Sequence, residues 1–217
     1  MPFHHPPEDV LFDYAAGSVR EPLGLVVATH LALCPACRRQ VRELETIGGA
    51  LLEQLPGSPP RIAAIDALLG RLDEPEPAVP AAPRFDDATR RLVPAPLRGY
   101  LGASLKDIAW RPLTRGLDEH ELALARPGVK TQLLRIRAGA AMPRHGHGGS
   151  EAVLVLDGGF RDEHGSYARG DLALSDGTVV HRPVADADGD CLCLTVVEGG
   201  IRLAGPFGRL LNLFVRT

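Results

Sequence analysis

Three residues whose side chains bind soft metal ions lie near the amino terminus, in the spacing His30-x-x-x-Cys34-x-x-Cys37. On a helix, the histidine lies one turn before the first cysteine, so the two side chains share a face. The Cys-Pro-Ala-Cys turn then brings the second thiolate back toward the same point, as in knuckles that form two corners of a tetrahedral zinc site. The spacing therefore predicts a zinc site with three ligands from this segment.

The fourth corner of that tetrahedron must come from elsewhere in the chain. His5, or its neighbour His4, lies just before the first predicted helix and can close the site, which makes it structural rather than catalytic. Two other interpretations stay open. His30 can be a core histidine beside two small apolar cysteines, or the Cys-x-x-Cys can be redox-active, although no βα unit precedes it as in thioredoxins.

A second group of metal-binding side chains lies in the C-terminal half, where His145-x-His147 is followed by Glu151. Histidines at i and i+2 of a strand point the same way, and the glutamate can follow them into a barrel interior. The pattern Gly139-x5-His145-x-His147-x3-Glu151-x6-Gly158 resembles the first conserved motif of the cupins. The alternative is a pair of surface histidines on a glycine-rich loop.

The cupin resemblance implies one more histidine ligand from a later strand, and His181 fits that role. The implied ligand set is His145, His147, Glu151 and His181, which suits zinc or another divalent transition metal such as iron, manganese or nickel. The second cupin motif is imperfect, because residues 168–170 read Ala-Arg-Gly instead of Pro-x-Gly and the gap to His181 is too long. A surface position for His181 therefore stays open.

The remaining polar residues give weaker signals. His120 and His164 have no partners at metal spacing and are predicted to be surface residues. Three acidic residues look like turn residues, so the sequence predicts no catalytic side chain and no organic cofactor; they are Asp162, Glu163 and Asp171. Cys191 and Cys193 fall in an alternating strand, where both thiols face one side, near the metal if that side is the barrel interior.

Helices are predicted around the first cluster and strands around the second. Apolar periodicity, with breaks at Pro35 and at the prolines of 56–60, predicts helices at residues 8–16, 22–33, 36–55 and 62–72. The composition of residues 74–84, rich in proline and alanine, favours an extended linker, and the whole linker is predicted at 74–96. Short segments between glycine-rich turns then predict strands typical of a sandwich or barrel, at residues 120–126, 131–137, 152–156, 170–174, 178–181, 191–198 and 210–215.

The composition narrows the class of protein. Of the 217 residues, 45% are hydrophobic and 24% are charged, which is typical of a globular chain of one or two domains. The net charge of -3 disfavours a nucleic-acid binder that works by bulk electrostatics. The most apolar stretch, 23–33, is too short for a membrane span, and no secretory signal is visible. We therefore expect a cytoplasmic protein, in agreement with two close cysteine pairs in a reducing compartment.

The residues around the first cluster carry a family resemblance. His5, His30, Cys34 and Cys37, with Leu-Phe-Asp-Tyr-Ala-Ala-Gly upstream and Val-Val-Ala-Thr-His-Leu-Ala-Leu-Cys around the ligands, are similar to the zinc-binding anti-sigma domain of ChrR-type regulators over residues 5–72. The resemblance implies a helical domain at 1–73, a linker at 74–96 and a cupin domain at 97–217. The fold class is then α+β multidomain, with a small all-α module before an all-β cupin, a double-stranded β-helix barrel.

The same resemblance implies a function. Such proteins clasp an extracytoplasmic-function sigma factor and block its contact with core RNA polymerase, with the four N-terminal ligands holding structural zinc. Cys191 and Cys193 match a comparable pair in ChrR-like proteins, which implies sensing of an oxidant such as singlet oxygen or peroxide, although two buried small residues explain them equally. The alternative function is a cupin metalloenzyme, a dioxygenase or isomerase, that carries the helical module for interaction.

Overall fold

The structure is a computed structural model that describes residues 1–59, 62–75, 83–124 and 127–203. Its helices are α1 Glu8–Ala15, α2 Glu21–Leu33, α3 Pro35–Glu53, α4 Ile62–Leu69, α5 Asp87–Leu92 and α6 Ala95–Leu101. The first four match the helices that apolar periodicity predicts. Pro22 and Pro35 lie in the first turns of α2 and α3, where the missing amide hydrogen costs no helical bond.

Short strands make up the second half of the chain, as predicted. They are β1 Arg111–Thr114, β2 Leu117–Glu121, β3 Val129–Ile136, β4 His145–His147, β5 Glu151–Asp157, β6 Gly159–Arg161, β7 Ser166–Ala168, β8 Leu172–Ser175, β9 Val180–His181, β10 Val184–Ala185, β11 Cys191–Glu198 and β12 Ile201–Leu203. The strand predicted at 210–215 lies outside the described residues.

Three sheets arrange these strands. The large sheet has the order β1-β2-β3-β11-β5-β8, and two three-stranded sheets have the orders β10-β6-β7 and β12-β4-β9. Alternation along β11 separates two cores: Leu192 and Leu194 belong to one, and Cys191 and Cys193 to the other. A helical N-terminal region followed by a cupin-like β domain confirms the predicted fold class.

Helix α2 is buried on both sides, which explains its continuously apolar sequence. Leu25 and Val26 join the core on the outer face of the large sheet, together with Leu97 of α6. Val27 and Leu31 of the same helix instead pack in the small core of α1, α2 and α3. One helix therefore contributes to the core of the helical module and to the core of the β domain.

The predicted linker, residues 74–96, contains a short helix. Residues 76–82 lie outside the described residues, but α5 lies within 74–96. Asp86 caps this helix by accepting a hydrogen bond from the amide of Thr89 at 2.8 Å, and Thr89 is buried. Leu92 of α5 packs against the core that α6 shares with the large sheet. The bounds of the linker and of the two domains stay a prediction.

No helix within the described ranges combines the length and the hydropathy that crossing a bilayer requires.

Candidate metal centres

The first centre gathers the four side chains that the sequence singled out near the amino terminus. One potential ligand atom from each of His5, His30, Cys34 and Cys37 lies within 4.8 Å of all the others. His30 comes from the last turn of α2, Cys34 from the α2–α3 junction and Cys37 from the first turn of α3. The helical spacing therefore brings three of the predicted ligand residues together, and the segment before α1 adds His5.

The distances and the unpaired atoms of this centre fit a tetrahedral ion. The Nδ1 atom of His5 lies 3.5 Å from Sγ of Cys34 and 3.3 Å from Sγ of Cys37. The edge between sulfur and nitrogen of a tetrahedral zinc site is about 3.5 Å, given Zn–S and Zn–N bonds of roughly 2.3 and 2.0 Å. Nε2 of His30 is buried and has no hydrogen-bond partner among the described residues, as expected for an atom reserved for a metal.

The electrostatics of the centre also favour a cation. Burial, and then the hydrogen bond with Cys34, raise the pKa of the Cys37 thiol to about 12, so the thiolate needs a positive charge beside it. Burial lowers the pKa of His30, which keeps its imidazole neutral and able to bind a metal. We conclude that this donor set can hold zinc, since thiolate and neutral imidazole are its usual ligands.

The two N-terminal histidines have different environments. His5 lies in the centre, whereas the ring of His4 stacks on Tyr167, with 4.5 Å between ring centroids, and contacts the carbonyl of Ser166 at 3.2 Å. His5 is therefore the one of the two that can supply the fourth ligand atom.

The second centre brings together His145, His147, Glu151 and His181, whose ligand atoms also lie within 4.8 Å of one another. All four are buried. His145 and His147 lie on the same face of β4, and β9 pairs with β4 in the register His145↔His181, which brings the third histidine beside them. Strand pairing thus places His181 despite the long sequence gap.

The contacts of this second centre suit a divalent ion. Nε2 of His147 lies 3.3 Å from Nε2 of His181 and 3.2 Å from a carboxylate oxygen of Glu151. Two of the imidazole rings are oriented by hydrogen bonds from Nδ1. That of His145 donates to the carbonyl of Pro143, and that of His181 donates to the carboxylate of Asp162, both at 2.8 Å. Each bond leaves the Nε2 lone pair of its ring for a metal.

The protonation states at the second centre are those of a metal-free site and would change on metal binding. Burial, and then the charge of Asp162, raise the pKa of Glu151 to about 8. Burial, and then the neighbouring histidines, lower the pKa of His147 to about 4. Without a cation the site therefore keeps a protonated acid and a neutral imidazole, and a divalent ion would stabilise the carboxylate.

Sequence reasoning missed two acidic residues beside these centres. Asp162 and Asp171 were interpreted as turn residues, yet Asp162 binds His181 and Asp171 is buried beneath the amino-terminal segment. Both do make turn-type hydrogen bonds, so local sequence could not separate the two roles. Of the other residues considered, Glu163 and His164 are exposed, and His120 is half-buried, with Nδ1 3.0 Å from the carbonyl of Ala109.

The second cysteine pair lies next to the second centre. Cys191 and Cys193 are buried with 3.4 Å between their sulfur atoms. Cys193, with His145, Glu151 and His181, lines a cavity of about 20 Å³. The hydrogen bond with Cys191, followed by burial, raises the pKa of Cys193 well above its ordinary range, so the Cys193 thiol stays neutral.

Comparison with known proteins shows the family of the chain. The anti-sigma-E factor ChrR of Cereibacter sphaeroides is 38% identical over 217 residues, which cover 98% of this chain and 98% of that protein. The chain belongs to the ChrR family of anti-sigma factors. The family model of the ChrR cupin-like domain matches residues 100–199, which contain all four ligands of the second centre.

A solved structure supports the membership at the level of the fold. The anti-sigma ChrR in the crystal structure of its complex with SigE of Rhodobacter sphaeroides aligns with 35% identity and a TM-score of 0.78, and covers 91% of this chain and all of that one. The likeness to ChrR therefore spans both halves of the molecule, in the same order.

Proposed function

We propose that this chain is an anti-sigma factor that sequesters an extracytoplasmic-function sigma factor in the cytoplasm, with zinc in its helical module. A relative of almost equal length is an anti-sigma-E factor, and a ChrR of similar fold crystallised with SigE. Zinc bound by His5, His30, Cys34 and Cys37 would hold α1, α2 and α3 in their relative positions, because the core that these helices share is small.

The observation that carries this proposal is a set of exposed apolar side chains on α3, on α4 and just after each of these helices. It is made of Ile47, Leu51, Leu52, Leu55, Ile65, Leu68, Leu69 and Leu72, all exposed. Leu51 and Leu52 expose 61% and 68% of their surface. Several exposed leucines on one pair of helices are typical of a protein-binding surface, and an amphipathic helix of a partner is the usual occupant.

The test is a titration of the full-length, zinc-loaded chain with the sigma factor encoded next to it. We expect Leu51→Asp with Leu68→Asp to lower the affinity at least 100-fold, because both would place a charge in an apolar interface. Leu113→Asp, an exposed leucine of β1, is the matched control and should bind normally. Stability of all variants should change by less than about 1 kcal/mol, since these side chains are exposed. Unchanged affinity of the double variant would rule out this surface.

We propose further that the cupin half receives an oxidative signal, such as singlet oxygen or a peroxide, through its metal centre. The cavity beside His145 and Glu151 is about 20 Å³, which holds a very small molecule, far below the several hundred Å³ of ordinary substrate pockets. This size favours a sensor over a dioxygenase or isomerase of larger substrates. Because both thiols are buried and that of Cys193 is neutral, the metal centre is the better first target of an oxidant.

An assay of sigma-factor release after exposure to an oxidant distinguishes a loss of sensing from a loss of binding. We expect His147→Ala to bind sigma normally but to keep it when the complex is exposed to hydroperoxide or to photosensitised singlet oxygen. Arg144→Ala, an exposed change close to the same strand, should release it as the unaltered chain does. Release of sigma by His147→Ala at the normal rate would contradict a role of the cupin centre.

A further inference from the structure

The amino-terminal metal centre is completed by groups from the cupin half, in the turn between β7 and β8. Nδ1 of His30 donates a hydrogen bond to the carbonyl oxygen of Gly170 at 2.8 Å, across 140 residues of sequence. This bond fixes the tautomer of the ring, because the proton on Nδ1 leaves the lone pair of Nε2 for the ion. Nε2 is the atom of His30 that lacks a partner among the described residues.

The neighbouring Asp171 holds the segment that carries His5. Its Oδ1 atom accepts hydrogen bonds from the amides of Phe3 at 2.6 Å and His4 at 3.0 Å, and Oδ2 accepts from the amide of Ala168 at 2.8 Å. The amide of Leu172 in turn donates to the carbonyl of His4 at 3.1 Å. Both carboxylate oxygens are therefore used, and the backbone is fixed one residue before a metal ligand.

The turn is shaped for this close approach. Gly170 has φ +93°, in the left-handed region that side chains rarely adopt, and a Cβ atom there would lie 2.8 Å from Pro2 and 3.5 Å from Leu33. A residue with a side chain would push away the amino-terminal segment and the end of α2. The Ala-Arg-Gly that departs from the cupin pattern is thus the site of contact with the helical module.

We propose that Gly170 and Asp171 are positioning residues of the amino-terminal metal centre, so that the cupin half sets how firmly this centre retains its ion. The inference rests on the proposed zinc site at His5, His30, Cys34 and Cys37. Gly170 orients one ligand and Asp171 holds the segment of another. Loss of an outer partner of this kind typically weakens metal binding by about 10-fold to 100-fold.

The experiment uses the full chain loaded with Co²⁺ and an excess of chelator. The charge-transfer band from thiolate to cobalt reports on the amino-terminal centre alone, because the cupin set has no thiolate ligand. We expect Asp171→Ala to lose this band at least about 10-fold faster than the unaltered chain, while the cobalt of the cupin centre is retained. Asp190→Ala is the control, since Asp190 also accepts a backbone hydrogen bond, from Ala138 at 2.9 Å, but within the cupin half.

A double-mutant cycle separates positioning from a general loss of stability. Phe3→Pro removes one of the amide hydrogen bonds that Asp171 accepts. The Phe3 side chain itself is exposed, so its loss removes little packing. The substitution should speed loss of the band in the unaltered background and have little further effect beside Asp171→Ala. Loss at the rate of the control, loss of both cobalt ions together, or additive effects would overturn the inference. Absence of the band in the unaltered chain would instead overturn the proposed zinc site itself, and the inference with it.

Discussion

The two metal centres use similar side chains in very different frameworks. The ligands of the cupin centre lie on β4, β5 and β9, strands that backbone pairing already holds in register. The ligands of the amino-terminal centre lie on two helices and an amino-terminal segment that share a core of only a few buried residues. The comparison indicates that an ion at the first centre replaces missing core, whereas an ion at the second adds chemistry to a fold that stands without it.

The strongest test of that contrast removes one ligand of the amino-terminal centre. We expect Cys34→Ala to lose several of the ~10 kcal/mol that a structural zinc ion contributes, with loss of amide protection in α1, α2 and α3. Cys191→Ala, the matched buried thiol of β11, should keep that protection and its zinc. Hydrogen exchange resolved by segment is the measurement. Equal loss of protection in β11 and in the helices would show that the two frameworks are not distinct.

The second test measures how much the buried carboxyl of Glu151 lowers the free energy of unfolding when no metal is bound. The pKa of Glu151 is about 8 in the fold against an ordinary 4.5, so its contribution to stability is complete below pH 4.5 and is lost as the pH rises through 8. The free energy of unfolding of metal-free Glu151→Gln should therefore exceed that of the metal-free unaltered chain by about 5 kcal/mol at pH 9, and the difference should vanish near pH 4.5.

Urea unfolding at pH 5, 7 and 9 measures this difference, with Glu163→Gln, an exposed neighbour in the fold, as the control. Saturating divalent metal should reverse the order at pH 9, because only the carboxylate binds the ion. Parallel pH profiles of the two metal-free proteins would contradict the burial of an uncompensated charge.

A third test changes an outer partner of the cupin centre. Asp162→Asn can still cap its turn through oxygen, but its amide nitrogen donates toward His181 and favours the wrong tautomer of that ring. We expect metal affinity of the cupin centre to fall about 10-fold to 100-fold, and that of the amino-terminal centre to stay unchanged. Asp176→Asn, which caps an exposed turn, is the control in a competition with a fluorescent chelator.

The smallest effect belongs to His4, which lies outside both centres. His4→Ala should lower stability by about 1 kcal/mol or less, through loss of its stacking on Tyr167, and should leave the zinc content unchanged. His5→Ala is the informative counterpart and should lose the ion. Metal analysis after dialysis compares the two, and loss of zinc from His4→Ala would move the fourth ligand to the other histidine.

The sequence predicted what local spacing controls. The helices α1 to α4, the pairing of His145 with His147 along a strand, and the opposite faces of Cys191 and Leu192 all follow from periods of 3.6 and 2. The sequence did not predict contacts between residues far apart in the chain. The hydrogen bond from Phe3 to Asp171 joins residues 168 apart, and the local sequence at either end does not indicate the other partner. Helix α5 was missed because its buried face packs on strands that follow it by many residues.

The position of His181 also depends on a contact between distant residues. A long gap argued against it as a ligand, yet the register of β9 on β4 determines its position and the intervening loop does not. Asp162 likewise reads as a turn residue, and only its distance of 2.8 Å to His181 shows its second role.

The double burial of α2 limits how the two halves can move apart. Leu25 and Val26 would both meet water if the helix left the large sheet, at a cost of roughly 1.5 to 3 kcal/mol for each side chain. A displacement that keeps α2 seated avoids that cost, and it can still shift the leucines of α3, which do not touch the sheet core. Under the proposed function, a small local tilt of α3 would therefore be enough to loosen a bound protein, without complete separation of the halves.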